Sequence, residues 1–134
     1  MEAQMILKVL LAVLLGSILG YERERHGRPA GLRTHILVAM GATVFSLISF
    51  FAFPANADPG RMAAYVVVGI GFIGAGTVIQ IKDKVLGLTT AASLWLAAAI
   101  GVAIAAEYYL LAISSAIIGF FVLSIKKIEK KIRK

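Results

Sequence analysis

Glu22, Arg23, Arg25, His26, Arg33, Thr34 and His35 crowd one polar stretch between two apolar runs, and they are residue types that pair charge, move protons or bind ions. Glu22 and Arg25 are three positions apart and Glu22 and His26 four, so these three can share one helical face. Glu24 falls on a different face. Two readings stay open. The charges form an interfacial cap whose long side chains reach back to water, or Glu22 joins Arg33 and His35 in a polar cluster at the mouth of a helix bundle, where an ionisable group is expected to be paired or functional.

Asp58 and Arg61 form a second group, suited to the start of a helix, where an acid favours the dipole and Arg61 can pair with it. Thr89, Thr90 and Ser93 supply hydroxyls that bond to backbone and neighbouring helices or, with Gln80, line a polar path. A transition metal could draw on at most His26, His35 and carboxylates, whereas Mg2+ would want oxygens from Glu22, Glu24 or Asp58. Asp58 is expected on the opposite side of the membrane from the two glutamates, so no three-carboxylate cage is evident and a metal is left undecided. No Ser-His-Asp order, Walker-type loop or zinc-hydrolase motif occurs; neither enzyme chemistry nor a cofactor is expected.

The elements that position these groups follow from the apolar runs. Of 134 residues 60% are hydrophobic and 16% charged, which excludes an ordinary soluble domain, and the absence of cysteine excludes disulfides and thiol chemistry. Five runs, Met5–Tyr21 with Lys8 inside it, Ile36–Phe53, Met62–Ile81, Val85–Ala106 and Tyr108–Ile125, each match the roughly 30 Å hydrocarbon core of a bilayer. Backbone groups in lipid must pair within the segment, so the expected fold is all-α, a polytopic bundle of five transmembrane helices over residues 1–125. Residues 126–134 form a short basic tail that continues helix five, with isoleucines at helical spacing suited to anionic headgroups. The first run leads into charged residues and four more runs, so it reads as a retained helix and not a signal peptide.

The net charge of +7 is first a topology signal. Arg23, Arg25, Arg28, Arg33, Lys82, Lys84 and the six basic tail residues share one side if the chain crosses five times, and only Lys8 and Arg61 lie on the other. The positive-inside rule puts the amino terminus outside and the carboxyl terminus in the cytoplasm. A lysine run without interleaved aromatics makes no nucleic-acid site. On the outer side Pro54 to Gly60 has turn chemistry, with Asp58 as the cap of helix three and Pro59 in its first turn.

Gly69-Ile70-Gly71-Phe72-Ile73-Gly74 formally matches G-x-G-x-x-G, but it lies inside an apolar span without the strand and crossover a dinucleotide site needs. Helix packing through Gly69, Gly71, Gly74, Gly76 and Trp95 accounts for it better, which would make helices three and four central. A loosened helix lining a polar cavity or ion path is the other reading.

The runs Gly20-Tyr21-Glu22-Arg23-Glu24-Arg25, Arg28 to His35, Asp58-Pro59-Gly60-Arg61, Gly69 to Gly76 and Gly87 to Trp95 together resemble the membrane domain of the MgtC/SapB family, from about residue 6 to residue 123. The resemblance implies a multi-pass protein of a bacterial inner membrane or archaeal plasma membrane, linked to growth under magnesium limitation. Family motif residues carried over by position are Glu22, Arg23, Arg33, Thr34, His35, Asp58, Arg61, the four glycines, Thr89, Thr90 and Trp95. In pathogens the MgtC-type members are implied to act on the proton-translocating ATP synthase. They carry a further soluble domain, whereas this sequence is expected to stop after its basic tail.

Two functions compete. The first is a membrane protein that modulates ion or energy homeostasis through a membrane partner, with helices three and four offering a lateral surface for that partner or for a homo-oligomer. The second is a Mg2+ or other cation transporter or channel, acting as an oligomer and using the mouth cluster.

Overall fold

The computed structural model describes residues 1–54 and 58–132, with side chains through Ile125. The apolar runs become α1 (Glu2–Arg25), α2 (Leu32–Phe51), α3 (Arg61–Ala75), α4 (Leu88–Ala105) and α5 (Tyr109–Ile132), an all-α bundle with one small hairpin. By length and composition α1, α2 and α4 are apolar enough to cross a membrane, while α3 and the Tyr109–Ile125 part of α5 are shorter apolar helices. The expected turn through Ala55, Asn56 and Ala57, and the amphipathic reading of side chains from Lys126 to Lys134, lie outside the described residues.

The expected third span, Met62–Ile81, is corrected. α3 stops at Ala75, and Ile79–Ile81 (β1) pairs antiparallel with Lys84–Leu86 (β2), so Ile79 faces Leu86 and Ile81 faces Lys84. The cause is local. Gly76 caps α3, the Thr77 hydroxyl bonds back to the Gly74 carbonyl at 2.8 Å, and the β-branched residues that follow favour extended backbone. Gly87 closes the hairpin at φ 89°, where a β-carbon would collide with the Thr77 carbonyl.

Cross-helix bonds fix which ends meet. Arg23 near the end of α1 reaches Thr90 at the start of α4, and Lys8 near the start of α1 reaches Glu107 in the α4–α5 turn. The Ser49 hydroxyl at the end of α2 bonds the Pro59 carbonyl and the Met62 amide at 2.6 and 3.1 Å, tying α2 to the start of α3. Neighbouring helices therefore alternate in direction. Arg23, Arg25, Arg28, Arg33, Lys82 and Lys84 collect at one end, and Lys8 and Arg61 at the other.

The centre of the bundle is not helices three and four as expected but α4 with α1 and α2. Helix α4 touches every other helix, whereas α3, among the described residues, packs chiefly against α2 and α4. Leu15, Leu19, Ala39, Ala97, Ile100 and Ile104 pack in the main core. The glycines that allow this are largely not those of α3. A β-carbon on Gly20 would lie 2.7 Å from Leu32 Cα, and one on Gly101 would strike the Ala39 carbonyl and sit 2.9 Å from Ala42 Cβ. Gly69 and Gly71 have no neighbour within 4 Å of such a carbon, so they do not serve as packing positions within the chain. Gly74 lies 3.5 Å from Ala91 on the same measure, and Trp95 is 53% exposed on the outer side of α4, outside the core.

Gly101→Ala should therefore cost about 1–3 kcal/mol by overpacking the α2–α4 contact. Gly69→Ala should be neutral or slightly stabilising, because Ala suits a helix better and meets nothing. Thermal unfolding of both variants in one detergent checks the contrast, and equal midpoints would contradict it.

Candidate functional site

The buried stripe of α1 runs through Leu15, Gly16, Leu19 and Gly20 and continues onto Glu22 and Arg23. Helical periodicity thus carries two charged side chains into the contact with α2 and α4 in place of water. On α2 the corresponding stripe starts with His35 and continues to Ala39, Ala42 and Thr43; on α4 it starts with Thr90, Ser93 and Leu94. Where the three stripes begin or end together, their polar residues meet.

The resulting cluster is well bonded but not fully. Arg23 Nη2 donates to Thr90 Oγ1 at 3.0 Å, and Arg23 Nη1 lies 3.8 Å from Glu22 Oε2. His26 Nδ1 lies 3.0 Å from Glu22 Oε1 and 2.8 Å from the Glu22 carbonyl oxygen. His35, wholly buried, places Nδ1 2.9 Å from the Gly31 carbonyl and Nε2 3.0 Å from Ser93 Oγ. A carbonyl can only accept, so Nδ1 carries hydrogen. In the neutral ring Nε2 then accepts, and the single Ser93 hydroxyl proton has two acceptors to serve: His35 Nε2 and the Thr90 carbonyl at 2.8 Å. Glu22 Oε2 and Arg23 Nε are buried without a hydrogen-bond partner among the described residues.

The cluster differs from the one expected. Glu22, Arg23, His35 and Thr90 come together, and Glu22 pairs with His26 and not Arg25, which is exposed. Arg33 and Thr89 are exposed and outside it, and Thr34 lines a groove between α2 and α3. Gln80 sits exposed in the hairpin, away from the hydroxyls it was expected to join. Glu24 holds the start of α2 instead, accepting from the Leu32 amide at 2.7 Å. At the other end Asp58 does not cap α3 directly. Its carboxylate accepts from the Gly60 amide at 2.9 Å, Gly60 is the N-cap residue, and no Asp58–Arg61 ion pair forms among the described residues.

Sequence reasoning missed the pair Lys8–Glu107, 2.9 Å apart, with the Lys8 side chain buried and its ammonium 5.3 Å from the Phe51 ring centre. The signal was present, since a lone lysine inside an apolar run needs a partner.

Among the described residues no three His, Asp or Glu side chains converge to hold a metal. Mg2+ fits the polar cluster poorly, because the cluster offers one carboxylate, Glu22, next to a buried guanidinium. An apolar groove of about 750 Å³ lies between α2 and α3, lined by Leu37, Gly41, Phe45, Tyr65, Gly69 and Ile73 among others.

Comparison with known proteins adds the following. The profile of the MgtC family matches residues 9–131. "Putative magnesium transporter YhiD" of Escherichia coli K12 is 39% identical over 132 residues, covering 93% of this chain and 61% of that protein. Protein MgtC of Salmonella typhimurium LT2 is 53% identical over 97 residues, covering 72% of this chain and 41% of its own, and Protein MgtC of Brucella abortus is 48% identical over 91 residues, covering 68% and 38%. The chain thus spans less than two thirds of the length of these relatives. No solved structure matches it.

The cluster separates two arginines that look alike in sequence. Arg23→Ala should cost about 3 kcal/mol, since it leaves the buried Glu22 carboxylate without its guanidinium and Thr90 without its donor. Arg33→Ala, at an exposed position, should stay within about 0.5 kcal/mol of the parent. Unfolding in a graded denaturing detergent checks this, and comparable losses would remove Arg23 from its assigned place.

Proposed function

This chain belongs to the MgtC family, and from that premise we propose that it modulates ion or energy homeostasis under magnesium limitation by acting on a membrane partner. The names of its relatives support a magnesium-related membrane protein at the coarser level. The finer reading rests on one observation: the polar cluster is built around a buried cation. Arg23 spans α1 to α4 beside a single carboxylate, and a fixed guanidinium in a confined site repels a divalent ion. The groove between α2 and α3 supports the same reading, because its open Gly41 and Gly69 admit the close approach of an apolar partner helix. The proton-translocating ATP synthase is the partner the family resemblance favours. In this proposal the protein is not an enzyme, crosses a prokaryotic cell membrane five times and keeps its basic end in the cytoplasm.

The second reading, a cation transporter acting as an oligomer, is favoured by Glu22 Oε2, which has no hydrogen-bond partner among the described residues, and by the name of the Escherichia coli relative. Protein-only liposomes discriminate. The parent chain should carry no gradient-driven Mg2+ or proton flux above protein-free vesicles, and Glu22→Gln and Asp58→Asn should change nothing. Robust flux from folded parent protein, lost in Glu22→Gln, would replace the modulator with the transporter.

A further inference from the structure

The hairpin Ile79–Leu86 has a composition that neither water nor the bundle interior suits. All six strand residues are exposed, and no described helix packs over either face. Cross-strand partners share a face, so the register puts Ile79, Leu86, Ile81 and Lys84 on one side and Gln80 and Val85 on the other. Three of the four residues on the first face are large and apolar, with Ile79, Ile81 and Leu86 58, 55 and 51% exposed.

Five constraints then point to one location. The apolar face favours acyl chains. The outer edges of a two-stranded ladder carry amide and carbonyl groups with no partner in the ladder, and these need water or headgroups. The tip is cationic: Lys82, at φ 52°, turns the chain and Lys84 follows, so two lysines flank Asp83. The hairpin also leads directly into α4, whose Thr90 meets Arg23, so it stands at the basic end of the bundle. Finally, α3 has 15 residues, or about 22 Å of helix, short of the roughly 30 Å hydrocarbon core. The segment after α3 therefore begins within acyl depth and has to complete the crossing to the headgroups before α4 starts.

We infer that the hairpin is an interfacial anchor that lays its Ile79, Ile81 and Leu86 face among the acyl chains and binds the phosphates of anionic lipids through Lys82 and Lys84. Lys84 shares the apolar face, and its long stem lets the ammonium rise from that face to the headgroup level. Gln80, on the other side, faces the aqueous boundary. The assignment is independent of whether the protein modulates a partner or transports an ion.

The chain has no cysteine, so single labels can be placed cleanly. Full-length Ile81→Cys and Gln80→Cys, each carrying a polarity-sensitive fluorophore, are reconstituted into phosphatidylcholine vesicles with and without phosphatidylglycerol. Circular dichroism verifies unchanged helix content. The label at 81 should be quenched by a nitroxide on a shallow acyl position and the label at 80 by aqueous iodide. Phosphatidylglycerol should strengthen the lipid quenching at 81, and Lys82→Gln or Lys84→Gln should remove roughly five-fold of that preference per lysine. Both labels open to iodide in every lipid would overturn the anchor. So would both labels shielded from iodide and from the lipid nitroxide alike, which means that protein covers the hairpin. Lipid quenching at 81 that ignores phosphatidylglycerol and both lysines would overturn the anionic-lipid assignment.

Discussion

The close backbone approach of α1 to α2 is the constraint on which the remaining geometry depends. Gly16 and Gly20, one turn apart, face the α2 backbone, and a β-carbon on either would lie within 3.0 Å of it. In lipid, association gains little from burying apolar surface, so dispersion between closely fitted backbones carries much of the drive. This contact sets the rotation of α1 and brings Glu22 and Arg23 inward. The same contact holds His35, whose Cβ would be 3.1 Å from a β-carbon on Gly20, at the distance from which it reaches Ser93.

Each cross-helix hydrogen bond in such a setting is modest, about 0.6 kcal/mol on average and up to about 1.7. His35–Ser93 and Arg23–Thr90 therefore orient helices that close packing has already assembled. The charged members act differently: they cost little while paired and a great deal when orphaned. Arg23, which reaches across to Thr90 at one end, and Lys8, which reaches Glu107 at the other, specify how the helices are rotated more than they add to stability.

Much of this was legible in the residues, and the remainder has identifiable reasons for being hidden. The five helices follow from apolar run length, and the Glu22–His26 pair follows from a spacing of four. Arg23–Thr90 was not legible as a contact, because it depends on how α1 is rotated against α4, which the glycines decide. The hairpin was hidden because hydropathy counts Val78, Ile79 and Ile81 as membrane-spanning whatever their backbone. Their β-branching and the bracketing Gly76 and Gly87 were the better guide. The G-x-x-x-G spacing at Gly16 and Gly20 is the small-residue signal that does pack, whereas the denser series in α3 faces outward at Gly69 and Gly71. Asp58 was placed at the correct helix end but acts two residues early, through the Gly60 amide.

The Lys8–Glu107 pair joins residues 99 apart in the chain. Synthesis runs from the amino end, so Lys8 enters the bilayer within the first apolar segment long before its carboxylate has been made. Until the α4–α5 turn has been made, the ammonium lacks this carboxylate and its long stem has to carry it to the membrane surface. The pair therefore closes the bundle between its first helix and its last turn, a contact that forms only after four helices have been synthesised.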